Sequence, residues 1–289
     1  MSHTGNVTGN YSGNFSGHGS ANYSKNDLWS PIELSLTLWL DAADVSTISA
    51  SSNLVTEWRD KSGNRRNATT TVRSPSFTQV VTTNGLSGIT FTGASATKLD
   101  TPDFAIAPNR QFCTFAIVSG GGLISSSDYP RIWLAKGNGD SSGAGTTYQQ
   151  GFLGAGSANG TAAFIAGALS PLTPQISGIS TTTLPVLLSG RFGTAGLATD
   201  NISLSVNGYS QVVESGGRTG ALSATGIRIG ADTGTGSSGG WNSWMGEIIL
   251  TQNISFFQSQ LVEGYLAWKW RNPLVASHPF ANRPPLIGD

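Results

Sequence analysis

Sixteen acidic residues are the first groups here that could do chemistry, and their spacing limits what it could be. Glycoside hydrolysis needs two carboxylates facing one bond. Glu247 stands alone in WMGEIILTQ, on one face of an alternating segment with Ile249. Asp41 and Asp44 are close in sequence but follow a strand end, where turn capping accounts for them. Glu57 and Asp60 flank a turn beside Trp58. Calcium needs several converging oxygens. Asp41, Asp44 and Asp60 with Asn64 could supply one set, and Asp232 with Asn242 another, but neither has a recognised loop spacing. Turn formation is the expected role, so no cofactor is expected, and calcium is the one ion these oxygens could hold.

Other reactive side chains are few. The histidines are His3, His18 and His278, without metal-ligand spacing. His278, before Pro279, reads as a packing or surface residue. Cys113 is the only cysteine, so no intrachain disulfide can form, and within FCTFAIV it reads as a small core hydrophobe. No Walker loop or dinucleotide fingerprint follows a strand. Sugar recognition would use an aromatic platform with planar polar groups. Tyr129, Trp133, Tyr148, Trp241 and Trp244 lie in or near loop-rich parts. Trp241 and Trp244, just after DTGTGSSGG, are the candidate glycan platform, with core or interface packing the stronger rival reading.

The elements that must position these residues are mostly strands. Residues 34–40 alternate strictly: Leu34, Leu36, Leu38 and Leu40 point one way and Ser35, Thr37 and Trp39 the other, which predicts a half-buried strand. Further strands are predicted at 77–81, 88–91, 111–119, 131–135, 202–206, 210–214, 227–230 and 245–250. Asn84-Gly85 and Asn207-Gly208 are hairpin signals. One helix is predicted. Ser255 and Gln258 have capping-box spacing, Phe257, Leu261, Tyr265 and Trp268 recur on one face, and Pro273 ends it. Gly264 would admit a close approach by a sheet or ring.

Residues 4–23 divide into TGNV, TGNY, SGNF, SGHG and SANY, a four-residue repeat that fits no helix or heptad. Residues 1–30 are therefore expected to form an extended arm ordered by partners, with Val7, Tyr11, Phe15 and Tyr23 as anchors. Residues 31–289 are expected to be one domain. Only 11% of residues are charged and the formal net charge is zero, which argues against nucleic-acid binding and attraction to anionic membranes. No signal peptide or membrane span is visible.

Several stretches have a family likeness. PIELSLTLWLDAADVSTI, VTEWRDKSGNRRNAT, ISLSVNG, IRIG, WMGEIIL, and VEGYLAWKW with ASHPF together resemble the concanavalin A-like (laminin G-like) jelly-roll domain of phage virion and bacterial surface proteins. The resemblance covers residues 31–285, strongest at the two ends. It implies an all-β jelly-roll sandwich of two antiparallel sheets, with one C-terminal helix bracing it. It also implies attachment, display or sugar binding. The E-x-D-x-x-E run of the related glucanases is absent. The leading expectation is a non-enzymatic structural virion protein, a head decoration, fibre or tail component. Its arm would bind other virion proteins, and it would form a homo-oligomer such as a trimer. The alternative is a carbohydrate-binding adhesion module for a host-surface glycan. A glycoside hydrolase is the third reading.

Overall fold

The computed structural model describes residues 27–70, 73–79, 81–82, 85–93, 97–105, 112–123, 131–136, 148–154, 161–168, 175–176, 179, 182, 184–193, 201–214, 226–231 and 240–289. At 134, 148–154, 163–168, 175 and 210–214 only the backbone is described. Val7, Tyr11, Phe15, Tyr23, Tyr129 and Asp232 lie outside the described residues.

The strands, numbered in chain order, form two runs. In the first, β1 (Leu36–Asp41) pairs with β17 (Trp244–Thr251), then come β8 (Phe112–Ser119), β13 (Pro185–Phe192), β14 (Ile202–Val206) and β15 (Tyr209–Glu214). The second starts at β2 (Ile48–Ser51) and continues through β3 (Leu54–Trp58), β4 (Ala68–Thr69), β7 (Leu99–Asp100) and β16 (Ile227–Ile229). It ends with β9 (Arg131–Ala135), β10 (Tyr148–Gly154), β11 (Ala162–Ala168) and β12 (Gln175–Ile176). All these pairings are antiparallel.

The expectation of a concanavalin A-like jelly roll, with two separate packed sheets, is corrected here. Strand β5 (Ser76–Thr78) pairs with β3 and with β6 (Gly88–Thr90), and β6 pairs with Trp244 and Met245 of β17. That bridge makes one continuous 17-stranded sheet. The sheet is curled into a half-barrel, and its two runs close on a common core. The all-β class and the single C-terminal helix stand as expected.

The core explains why the central strands read as apolar runs. Along β8, Phe112, Ala116 and Val118 point into the curl, while Cys113, Phe115 and Ile117 point out to a second core. Val55, Trp58, Leu99, Trp133 and Ile229 fill the curl from the opposite run. Trp133 Nε1 donates to Thr114 Oγ1 across it, at 3.2 Å. A large apolar side chain buried in this way contributes about 1.5–3 kcal/mol.

Strand β1 is buried on both faces rather than half-buried. A bulge between Leu36 and Leu38 shifts its register, so Leu38 and Leu40 enter the inner core, whereas Leu36 joins Trp39 outside. Helix α1 (Phe256–Trp270) covers the outer face. Its capping box forms as expected: Gln258 N donates to Ser255 Oγ, and Ser255 N donates to Gln258 Oε1. The buried face is rotated from the predicted one. Phe257 is exposed, while Glu263 and Lys269 are buried. Apolar spacing alone gives no sign that two charges lie beneath a helix.

Gly264 has a positional reason. A Cβ there would sit 2.8 Å from the Phe280 ring, since the tail crosses the helix at that point. The tail also holds the start of the domain: Leu28 bridges Leu286, and Trp29 N donates to Pro285 O at 3.0 Å.

Candidate functional site

Asp41 closes β1 and lies opposite Glu247 of β17. Two carboxylates facing each other across a ladder would repel. Lys269, in the last turn of α1, lies between them: its Nζ donates to Asp41 Oδ1 and Glu247 Oε2, each at 2.6 Å, and to Tyr265 Oη at 3.1 Å. These three bonds match the three donors of an ammonium. Glu247 also accepts from Trp39 Nε1 at 2.7 Å and Trp270 Nε1 at 2.8 Å. Lys61 Nζ reaches Asp41 Oδ2 and Asp44 Oδ2, each at 2.9 Å. The carboxylates of Asp41 and Glu247 are 0% exposed, and the network meets solvent through Lys61 and Asp44.

Burial pulls the two central carboxyls toward neutrality, and their neighbours divide them. Asp41 is held below the ordinary carboxylate value because the charges of Lys269 and Lys61 outweigh its burial. Glu247 is raised, first by burial and then by the charge on Asp41. A lowered and a raised carboxyl side by side is an arrangement that can separate base from acid roles.

The signs predict a pH profile. A lowered Asp41 contributes stability that is present above its ordinary value of 3.8 and is lost as pH falls through its folded value. A raised Glu247 contributes stability that is complete below 4.5 and is lost as pH rises through its folded value. Urea unfolding over a pH series should show stability falling in acid below 3.8 wherever Asp41 is a free carboxyl. In Asp41→Asn the acid slope should be shallower, and an unchanged slope would contradict this assignment.

The expected calcium set is only partly assembled. Asp41 and Asp44 converge, but on Lys61, which takes the place a cation would fill. Asp60 instead caps its own turn, accepting from Trp39 N, Ser62 N and Arg66 N, and Asn64 Nδ2 donates to Leu36 O. Asn242 accepts from Gly93 N at 3.3 Å. Among the described residues no group of three or more His, Cys, Asp or Glu is placed to hold a metal ion.

His278 is buried rather than at the surface. Its Nε2 lies 3.1 Å from Glu263 Oε2, while Phe280 N donates to Nδ1, so Nε2 carries the proton toward the carboxylate. Glu263, though buried, is held below its ordinary value by the His278 hydrogen bond and the Arg191 charge. Burial pushes the Cys113 thiol well up, which fits a core residue.

Trp241 and Trp244 are placed in the two cores. Trp241 is 0% exposed inside the curl, and Trp244, 6% exposed, stacks on Trp270 with centroids 6.0 Å apart. A platform built on these rings would require the surrounding chain to open. Trp133 is likewise buried.

The most exposed aromatic among the described residues is Tyr209, 60% exposed. It follows a two-residue turn in which Asn207 and Gly208 have φ of 54° and 67°. Asn207 Oδ1 anchors that turn by accepting from Leu187 N at 2.9 Å and Asn272 Nδ2 at 2.7 Å. The Asn-Gly pair predicted this hairpin, but exposure of the tyrosine beyond it has no signal in the sequence.

No protein-family model and no curated protein sequence matches the chain. Solved structures do. A Trypanosoma rangeli sialidase in complex with 2,3-difluoro-KDN aligns with 77% of this chain and 31% of its own, at 13% identity and a TM-score of 0.49. The binding domain of Paraclostridial Mosquitocidal Protein 1 aligns with 81% of this chain and 53% of its own, at 9% identity and a TM-score of 0.51. Domain 4 of AbnA, a GH43 extracellular arabinanase from Geobacillus stearothermophilus, in complex with arabinotriose, aligns with 75% of this chain and 92% of its own, at 11% identity and a TM-score of 0.39. The chain thus spans under a third of the sialidase's length. At these identities the likeness concerns the fold alone.

Two expectations are corrected by these findings. The structural virion protein gives way, because the jelly-roll resemblance it rested on is overturned by the single curled sheet, and the fold is similar instead to that of the binding domain of Paraclostridial Mosquitocidal Protein 1. The exclusion of an enzyme is withdrawn as well, because Asp41 and Glu247, read apart in the sequence, meet on Lys269 as a buried pair with one carboxyl lowered and the other raised.

Proposed function

We propose that this chain is a carbohydrate-binding domain that attaches to a surface glycan. The observation that carries this reading is Tyr209. Its ring stands out from a hairpin tip whose backbone is fixed from behind by Asn207 and by the tail. An aromatic ring offers a flat apolar face for the C–H side of a sugar and a hydroxyl for its polar edge. A rigid mount lowers the entropy lost on binding. The chain as a whole carries few charges, 11% of its residues, which suits a neutral ligand. The likeness in fold to the binding domain of Paraclostridial Mosquitocidal Protein 1 supports the reading.

Calorimetric titration of the full chain with oligosaccharides tests it. Tyr209→Ala should weaken binding by about tenfold, the loss of roughly 1–2 kcal/mol expected for one exposed aromatic anchor. The melting temperature should barely move, because the ring is largely solvated. Undiminished affinity in Tyr209→Ala would remove this residue from the binding surface.

A further inference from the structure

Lys269, Asp41 and Glu247 form a group whose geometry goes beyond an ion pair. The lysine Nζ is 2.6 Å from a carboxylate oxygen of each acid, and all three side chains are 2% exposed or less. Trp39, Tyr265 and Trp270 close around them, each making a hydrogen bond to the group. Burial behind aromatic rings penalises two ions relative to a neutral amine and a neutral acid. It also holds the reacting atoms in place.

We propose that Lys269 and Asp41 are sites of a self-made modification, an isopeptide bond from Nζ to Cγ, with Glu247 carrying the protons. A proton passes from the ammonium to Glu247 and on to Asp41 Oδ1, leaving a neutral amine and a neutral Asp41 acid. The Nζ lone pair attacks Cγ and forms the C–N bond. Glu247 takes the proton from the attacking nitrogen. It returns that proton to Oδ1, the Cγ–Oδ1 bond breaks, and water leaves. Ammonium plus carboxylate become amide plus water, with no oxidant or reductant needed. Asp41 Oδ2 remains as the amide oxygen, accepting from Lys61 Nζ as the carboxylate oxygen does at 2.9 Å. Ala43 N donates to Oδ1 at 3.1 Å, so both oxygens are held while charge develops. The raised carboxyl of Glu247 suits it to giving and taking a proton.

The bond would join residues 228 positions apart and tie the first long strand to the helix that covers it. It would therefore restrain almost the whole domain in the unfolded state, as a disulfide does. This inference is independent of any sugar binding.

The experiment is the intact mass of the full chain under denaturing conditions, followed by proteolysis. The expected mass is that of the sequence less one water, with the Asp41 and Lys269 peptides recovered as one branched species. A full sequence mass overturns the proposal. So does a water loss that maps to Lys61 with Asp41, to Lys269 with Glu247, or elsewhere. Lys269→Arg must show no loss of water whether or not it folds, and persistence of the loss overturns the assignment. In the monodisperse folded fraction of Glu247→Gln, the joined species should be at least tenfold scarcer than in wild type. An equal yield would remove Glu247 from the reaction.

Discussion

Lys269→Met should destabilise the domain by about 3–5 kcal/mol relative to the chain in which Lys269 and Asp41 are unjoined, the usual cost of removing one partner from a buried charge group. The ammonium lies between Asp41 and Glu247, which face each other across the ladder, and both carboxylates are 0% exposed. Without it, Lys61 is the one cation left on Asp41 among the described residues, and Glu247 keeps two indole donors. Urea unfolding should show the loss as a lower midpoint with an unchanged slope. The triple replacement of Asp41 and Glu247 by Leu with Lys269→Met should recover much of it, because apolar groups of similar volume often replace a buried ion group at little cost. A loss below about 1 kcal/mol in Lys269→Met would mean that the group is solvated and worth no more than a surface ion pair.

Gly246→Ala should be nearly as damaging. Gly246 interrupts the β17 register between Met245 and Glu247, and a Cβ there would overlap the Trp270 ring. Trp270 is fully buried, stacks on Trp244 and donates to Glu247 Oε2 at 2.8 Å. The indole cannot retreat without losing that bond. Overpacking costs about 1–3 kcal/mol, and an orphaned buried polar group about 1–3 more. Thermal unfolding should show a fall of roughly 10 °C or more, using about 2–4 °C per kcal/mol for domains of 150–250 residues. Near-ultraviolet circular dichroism should lose part of its tryptophan signal. A wild-type melting temperature in Gly246→Ala would show that the ring has room to move.

These residues show what the sequence discloses and what it withholds. Local signals carry well. FCTFAIV reads as a buried strand and is one, Ser255 and Gln258 mark the helix start, and Asn207-Gly208 marks a hairpin. Gly264 is explained by the ring it was expected to admit. Each of these depends on neighbours within a few positions. The closure of the sheet does not, because it rests on which distant strands pair: 88–91 reads as a strand, but nothing local joins it to β17, and β4 and β7 have only two residues each. It is β6 that makes the sheet continuous.

The candidate site was legible only in part. Glu247 stands out in the sequence as a lone charge in an apolar strand, and such a charge needs a buried partner. That partner, Lys269, is 22 positions away on the helix, and Asp41 is 228 positions from Lys269. No periodicity links positions so far apart. Trp241 and Trp244 follow a glycine-rich loop, which made them the candidate glycan platform beside the stronger reading of core or interface packing. The structure places them in the cores, where Gly122 lies against the Trp241 ring and Trp270 stacks on Trp244. Large aromatics beside small residues are a packing signal as readily as a binding one.

The most direct test of the carbohydrate-binding assignment is a glycan array probed with the full-length chain, with Tyr209→Ala alongside. The expected result is retention on a defined set of oligosaccharides by the wild type, with the signal on that set lost or strongly reduced for Tyr209→Ala. An array on which the folded wild-type chain binds no glycan would contradict the assignment.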